Sequence, residues 1–423
     1  MSIIINKEEL ATSKLRRSAL EILEAGLEAV DTEKILRKKL SVRDGFLFIK
    51  NGTDEYRAEL PSPNLGEGLG GEVYFVGIGK CALDGARVIE DILGDYLTKG
   101  AVIDVKPESE FKAAFAEASA GRRKIKYFVG THPYPSEQNI LATKEILNMV
   151  ENLTERDLVV CLISGGGSSL FELPIPEVDL NTIIETTKEL TAKGADIYDL
   201  NKVRKTMSQV KGGKFAKLCY PAQVVSLIFS DVLGNDISIV ASGPTVLNEP
   251  SEKIKNILLT SNHDALEAMK IKSEELGFNT MIETEVLSGN AKNMGRELTL
   301  RKPKPKTCIL FGGETTVVLT KPASAEATAG KGGRNQTMAL SALSHMPANS
   351  ILICASSDGW DNTDHAGAIA DQELLQKSKE LNISAQEYLE KNDSYNFFKL
   401  VGGAISTGKL GSNVSDLCIM LYE

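Results

Sequence analysis

This 423-residue chain has few of the residue patterns that mark several function classes. Its six cysteines (Cys81, Cys161, Cys219, Cys308, Cys354, Cys418) lie far apart, and none forms a C-x-x-C pair. With only four scattered histidines, the pattern gives no support to a zinc site, and a reduced protein is the simplest reading of the cysteines. No apolar run approaches the length needed to cross a bilayer, so no membrane partner is expected. The opening MSIIINKEEL lacks a basic n-region and a small-residue cleavage site, so we expect no signal peptide and a reduced, cytoplasmic protein. A net charge of −9 leaves no overall basic balance for nucleic acid. Two glycine fingerprints are also missing: the Walker spacing GxxxxGK[ST], and a G-x-G-x-x-G opening a strand–helix unit.

What the chain does have is four apolar strands that run into turns of small residues. They are VYFVGIGK (73–80), LVVCLISGGGSS (158–169), CILFGGETT (308–316) and ILICASSDGWD (351–361). Their tips carry Lys80, Ser168, Glu314 and Asp358. In open α/β sheets, ligands bind at the carboxyl ends of strands, where loops and helix starts present free N–H groups. The length predicts two domains. Strands alternate with helical stretches, which predicts an α/β fold: a Rossmann-like, mostly parallel sheet over 1–245, then a smaller α/β domain over 246–423. We expect helix over 13–40, a short strand or hairpin at Ser41–Ile49, and loops at Pro61–Gly71 and Lys321–Lys331. A strand is expected at Val317–Leu319, and the last strand, Leu417–Leu421, is free to return to the first domain.

SGGGSS (Ser164, Gly165, Gly166, Gly167, Ser168, Ser169) is the strongest single signal. Three glycines let the backbone approach a ligand, and a helix starting there would add its positive end, together making a phosphate or carboxylate cradle. An acidic protein that binds an anion also needs local cations. Candidates are Lys80, the lysines and arginine of LNKVRKTMS, Lys211 and Lys214 in KGGK, and Arg334, which follows two glycines and suits bidentate anion contact. Asp231, Asp236, Glu314, Asp358, Asp361 and Asp364 form the acidic set. Such carboxylates suit Mg²⁺ completed by phosphates and water, or a general base for a hydroxyl; equally, Asp364 and Asp371 read as turn-shaping residues. His132 reads as a turn or packing histidine.

Taken in order, GIGK, GTHPYP, SGGGSS, NKVRKTMSQVKGGK, SDVLGNDISIVASGPT, GGETTVV, GKGGRNQ, DGWDNTDHAGA and STGKLGSNVSD resemble the glycerate 2-kinases, or class II glycerate kinases, over nearly the whole chain. The resemblance implies two α/β domains with the active site in the cleft between them. It implies ATP and Mg²⁺ as cofactors and D-glycerate as the small-molecule substrate, phosphorylated at its 2-hydroxyl. It also implies Lys80 and Arg334 as central active-site cations. From the residues themselves, Asp231 and Glu314 are further catalytic candidates and Asp231, Glu314 and Asp358 candidate metal ligands, with the roles of Mg²⁺ ligand and hydroxyl base left open among them. Binding candidates are Gly79, Ser164 to Ser169, Lys211, Gly313 and Asn335. A homodimer is compatible with this reading. Departures from the family pattern are Thr337, where glutamate is common, Asn235, where aspartate is frequent, and a longer Ala-rich stretch before Lys331. Two rival readings are an NAD(P)-dependent hydroxypyruvate reductase, opposed because no G-x-G-x-x-G opens a strand–helix unit with an acidic residue at the expected distance, and a sugar-phosphate sensor, opposed by the acidic tips.

Overall fold

The computed structural model describes residues 2–61, 70–107, 109, 124–194, 197–301, 304–317 and 331–423. Backbone contacts divide the chain into two compact units, Thr32–Thr260 and Met1–Asp31 with Ser261–Glu423. Each is an α/β structure built on its own six-stranded sheet.

In the unit Thr32–Thr260, a small antiparallel sheet comes first: β1 (Leu40–Arg43), β2 (Phe46–Asn51) and β3 (Asp54–Glu59). The main sheet follows, with β4 (Val73–Ile78), β5 (Leu97–Asp104), β6 (Ile125–Val129), β7 (Leu158–Ile163), β8 (Gln223–Phe229) and β9 (Ile254–Thr260). All neighbours are parallel, in the order β6-β5-β4-β7-β8-β9. VYFVGI and LVVCLI are buried at every position, as strands covered on both faces must be. Each fully buried aliphatic side chain there contributes about 1.5–3 kcal/mol. Counted within the sheet, the order is 3-2-1-4-5-6, the Rossmann arrangement. Its crevice opens between the first and fourth strands, here β4 and β7.

In the other unit the sheet is mixed. It contains β10 (Asn279–Leu287), β11 (Thr307–Gly313), β12 (Ser350–Ser356), β13 (Gly367–Asp371), β14 (Ala404–Ile405) and β15 (Asp416–Tyr422), ordered β10-β11-β15-β12-β13-β14. Only β10 and β11 run parallel. Phe311, Met338, Phe397, Phe398, Cys418 and Met420 share one core layer. All six cysteines are free and buried, acting as small hydrophobes.

The expected boundary at 245/246 differs from this division for two physical reasons. β9 continues the first sheet by pairing with β8, and the N-terminal helix Lys14–Ala29 packs on the helix Asn262–Glu275. A Cβ at Gly26 would lie 2.6 Å from Met269 Cγ, which shows how closely those helices approach. The last strand does not return to the first domain; it pairs with β11 and β12. The helix expected over 13–40 is two helices, Lys14–Ala29 and Thr32–Lys39. The Ser41–Ile49 hairpin is present, extended by β3. Residues 62–69 and 321–330 of the two expected loops, and two residues of the strand expected at Val317–Leu319, lie outside the described residues.

Candidate functional site

At the carboxyl edge of the parallel sheet, β4 and β7 end side by side on the two sides of the crevice. The turns after them interlock. Lys80 N donates to Gly165 O at 3.0 Å, and Ser164 N to Ile78 O at 2.9 Å. Ser164 is fully buried, and its Oγ accepts from Cys81 N at 3.1 Å. Gly79, at φ +113°, admits no side chain, because a Cβ would sit 2.3 Å from Ser164 Oγ. Gly166, at φ +82°, lies under Lys80: a Cβ there would be 3.2 Å from Lys80 Cγ and 3.4 Å from His132 Cδ2. The Lys80 stem and the His132 ring therefore flank this glycine, and Lys80 is half-buried.

Among the described residues, the amides of Gly165, Gly166 and Ser168 make no backbone hydrogen bond. Backbone N–H groups are obligatory donors, so three unused donors beside a lysine form a nest suited to an oxyanion. The helix expected after this turn is a single turn, Gly167–Leu170, so the local amides rather than a long helix dipole supply the positive field. Ser168 Oγ lies 2.9 Å from Ser242 Oγ. Ala241 and Ser242 hold left-handed φ values of 51° and 62°, a strained pair fastened by Gly212 N to Ser242 O at 2.9 Å. Ser169 Oγ turns to Pro133 O. Asp231 follows β8, the next strand along the same edge, and is half-buried.

Lys211 lies inside the unit, with no exposed surface. Its Nζ donates to Phe171 O at 3.0 Å and pairs with Glu172 at 2.5 Å. Burial pushes its pKa down, and the Glu172 charge opposes that. Burial likewise lowers the pKa values of Arg204 and Lys205.

In the other unit, Glu314 follows β11 and is exposed; Gly313, at the strand's end, stands opposite Asp416. Arg334 opens the helix Arg334–Leu343. Its Nε lies 2.5 Å from Asp416 Oδ2, its Nη2 3.1 Å from Asp416 Oδ1, and its Nη1 bonds Glu314. Burial would lower the pKa of this guanidinium, but Asp416 and Glu314 outweigh it and raise the value further. About 30% of the Arg334 side chain remains exposed, whereas Asp416 is 2% exposed. Asn335 is fully buried, with its N and Nδ2 on Asp361 Oδ1 at 3.1 and 3.3 Å. Gln336 N and Nε2 complete the shell on Asp361 Oδ2 at 2.8 and 3.1 Å. Asp361 thus occupies the start of the Arg334–Leu343 helix, and burial pushes its pKa up to about 6. Asp358 Oδ1 accepts from Ser356 Oγ and Trp360 N at 2.8 and 2.9 Å. Among the described residues, no group of three or more His, Cys, Asp or Glu could hold a metal ion.

Comparison with known proteins bears on what these two groups of residues serve. Residues 18–271 match a family described as a domain of unknown function (DUF4147), and residues 307–416 match the MOFRL family. The glycerate 2-kinase of Pyrococcus horikoshii is 32% identical, with 96% of this chain and 97% of that protein covered. The D-glycerate 2-kinase of Thermotoga maritima is 33% identical over 96% and 98% of the two chains. The crystal structure of glycerate kinase from Thermotoga maritima aligns with a TM-score of 0.77 at 32% identity, covering 96% of this chain and 99% of that one. This chain belongs to the glycerate 2-kinase family. As a member of it, the chain is a kinase.

The motifs that carry the resemblance contain Lys80, the SGGGSS turn, Glu314 and Arg334. Sequence reasoning did not single out Asp416, the residue that holds Arg334, although it ends the STGKLGSNVSD motif. A buried carboxylate at the first position of an apolar strand was the available signal. His132, read as a turn or packing histidine, lies beside Gly166 with Lys80.

Proposed function

We propose that this chain transfers the γ-phosphoryl group of ATP to the 2-hydroxyl of D-glycerate, giving 2-phosphoglycerate. The observation that supports this most is the nest of three unused amides, Gly165, Gly166 and Ser168, beside Lys80 at the sheet's switch point. Phosphoryl transfer asks a protein mainly to position its reactants and to neutralise charge. The nest would hold a phosphate or carboxylate oxygen, and Lys80 would neutralise it. Arg334, kept charged and oriented by Asp416 and Glu314, would be a second cation for the transferring group or the substrate carboxylate.

Asp231, Glu314 and Asp358 each follow a strand end, and a carboxylate so placed would suit Mg²⁺ when nucleotide phosphates and water complete its shell. When bound, Mg²⁺ supplies charge neutralisation on the phosphates. One of the same carboxylates would accept the hydroxyl proton of glycerate. The deciding experiment incubates the full chain with ATP, Mg²⁺ and D-glycerate and couples the product to enolase and pyruvate kinase. A signal without added phosphoglycerate mutase is expected, because enolase consumes 2-phosphoglycerate directly. A signal that needs the mutase, or none at all, would overturn the assignment.

A further inference from the structure

Away from Arg334, the unit Met1–Asp31 with Ser261–Glu423 contains a cavity of about 210 Å³ between the helices Ala291–Leu298, Arg334–Leu343 and Ala385–Glu390. Lys292 and Arg296 point into it from one helix face, four residues apart, with Asn293, Ser341, His345 and Gln386 among the other lining groups. No carboxylate lines the cavity. Lys292 is half-buried and Arg296 exposed, so the wall carries two positive charges and no negative one. Neither Lys292 nor Arg296 has an ion pair among the described residues. Burial pushes the Lys292 pKa down, with only the Glu390 charge opposing it, so an incoming anion would relieve that cost. The volume lies below the roughly 300–1,000 Å³ of drug-sized sites and suits a compact anion.

We propose that this cavity binds a small phosphate-bearing anion and is coupled to Arg334 through the helix Arg334–Leu343. Ser341 belongs to the cavity wall and Arg334 to the opposite end of that helix, about 10 Å away at 1.5 Å per residue. The two helices that frame the cavity are locked together. Ser341 Oγ donates to Lys292 O, and a Cβ on Gly295 would stand 2.1 Å from Met338 O. A ligand that draws Lys292 and Arg296 inward therefore cannot move one helix without loading the other. The inference is independent of which hydroxyl the enzyme phosphorylates.

Calorimetric titration of the full chain with inorganic phosphate, and separately with glycerol 3-phosphate, tests the site. Wild type is expected to bind at least one probe, and Lys292→Gln/Arg296→Gln to weaken that event by about tenfold or more. Lys80→Ala should leave the event in place, which separates it from any anion held by residues 164–169. Binding of phosphate alone assigns the free ion, and of glycerol 3-phosphate alone an ester. Failure of wild type to bind either probe, or an unchanged isotherm in the double variant, overturns the site. The coupling is read in the turnover assay. The bound probe should change wild-type kcat/KM by about twofold or more, with no change in the double variant. No response in wild type, or an equal response in both proteins, overturns the coupling.

Discussion

Arg334 and Asp416 form a bidentate pair, with Nε–Oδ2 at 2.5 Å and Nη2–Oδ1 at 3.1 Å, although 82 residues separate them in sequence. The carboxylate is buried while the guanidinium keeps an exposed edge, so Asp416 fixes the orientation of a cation that still faces outward. Asp416→Asn preserves the shape and removes the charge. Turnover is expected to fall by about ten- to hundredfold, roughly 1.4–2.8 kcal/mol of transition-state stabilisation. The discriminating measurement is a double-mutant cycle. If Asp416 acts through Arg334, then Asp416→Asn costs nothing further in an Arg334→Met background. An additive loss in kcat would make Asp416 a structural residue only.

Lys80 packs its stem over Gly166 and its backbone into the Gly165 turn, so truncating the side chain leaves every backbone bond of the turn intact. We therefore expect Lys80→Ala to fold normally and to lose about 10²-fold or more in kcat/KM, the loss typical of a donor aimed at developing charge. Steady-state kinetics alongside a thermal melt decide the point. Near-normal turnover from a protein with a wild-type melt would remove Lys80 from the mechanism.

The sheet that carries Lys80 was legible because VYFVGI and LVVCLI are continuous apolar runs, which parallel strands covered on both faces require. β9 was missed because IKNILLT, at the sheet's edge, alternates between partial and full burial and lacks that run. Likewise, the glycine turns announced themselves locally, whereas Asp416 acquires its role from strand register. Gly313 and Ser356 stand opposite it on two neighbouring strands, and nothing near residue 416 encodes that pairing. Asp361 was visible as an acidic residue of SSDGWD, but its task at the start of a helix 25 residues earlier was not.

Lys211 illustrates how a cation that reads as anion-binding in sequence can be committed inside the fold. Its ammonium and the Glu172 carboxylate are both essentially unexposed, so removing one strands the other. Lys211→Met should destabilise the chain by about 3–5 kcal/mol, near the lower end because Arg204 also lies close to Glu172. Lys211→Met/Glu172→Leu should recover part of that loss, since it removes the stranded Glu172 charge but also takes that carboxylate from the desolvated Arg204. Denaturant midpoints of the three proteins measure this. A double variant no more stable than Lys211→Met would mean that Glu172 serves more than its pairing with Lys211.

Asp361 gives a pH signature with a definite sign. Burial raises its pKa from an ordinary 3.8 to about 6, so between those values the folded chain binds more protons than the unfolded one. Stability linked to this group is fully present below about pH 4, declines as pH rises through about 6, and is flat above; a shift of about two units corresponds to roughly 3 kcal/mol. Asp104, also buried and raised to about 6, acts in the same direction and stays in place in the comparison. Asp361→Asn removes the titration but points an amide at N–H donors, which should cost about 1–3 kcal/mol near pH 7. The test compares unfolding free energies of wild type and Asp361→Asn from pH 4 to 7. Wild type should lose stability more steeply than the variant between pH 4 and 6. Parallel curves would show that Asp361 is ionised throughout, held by its four N–H donors as an ordinary carboxylate.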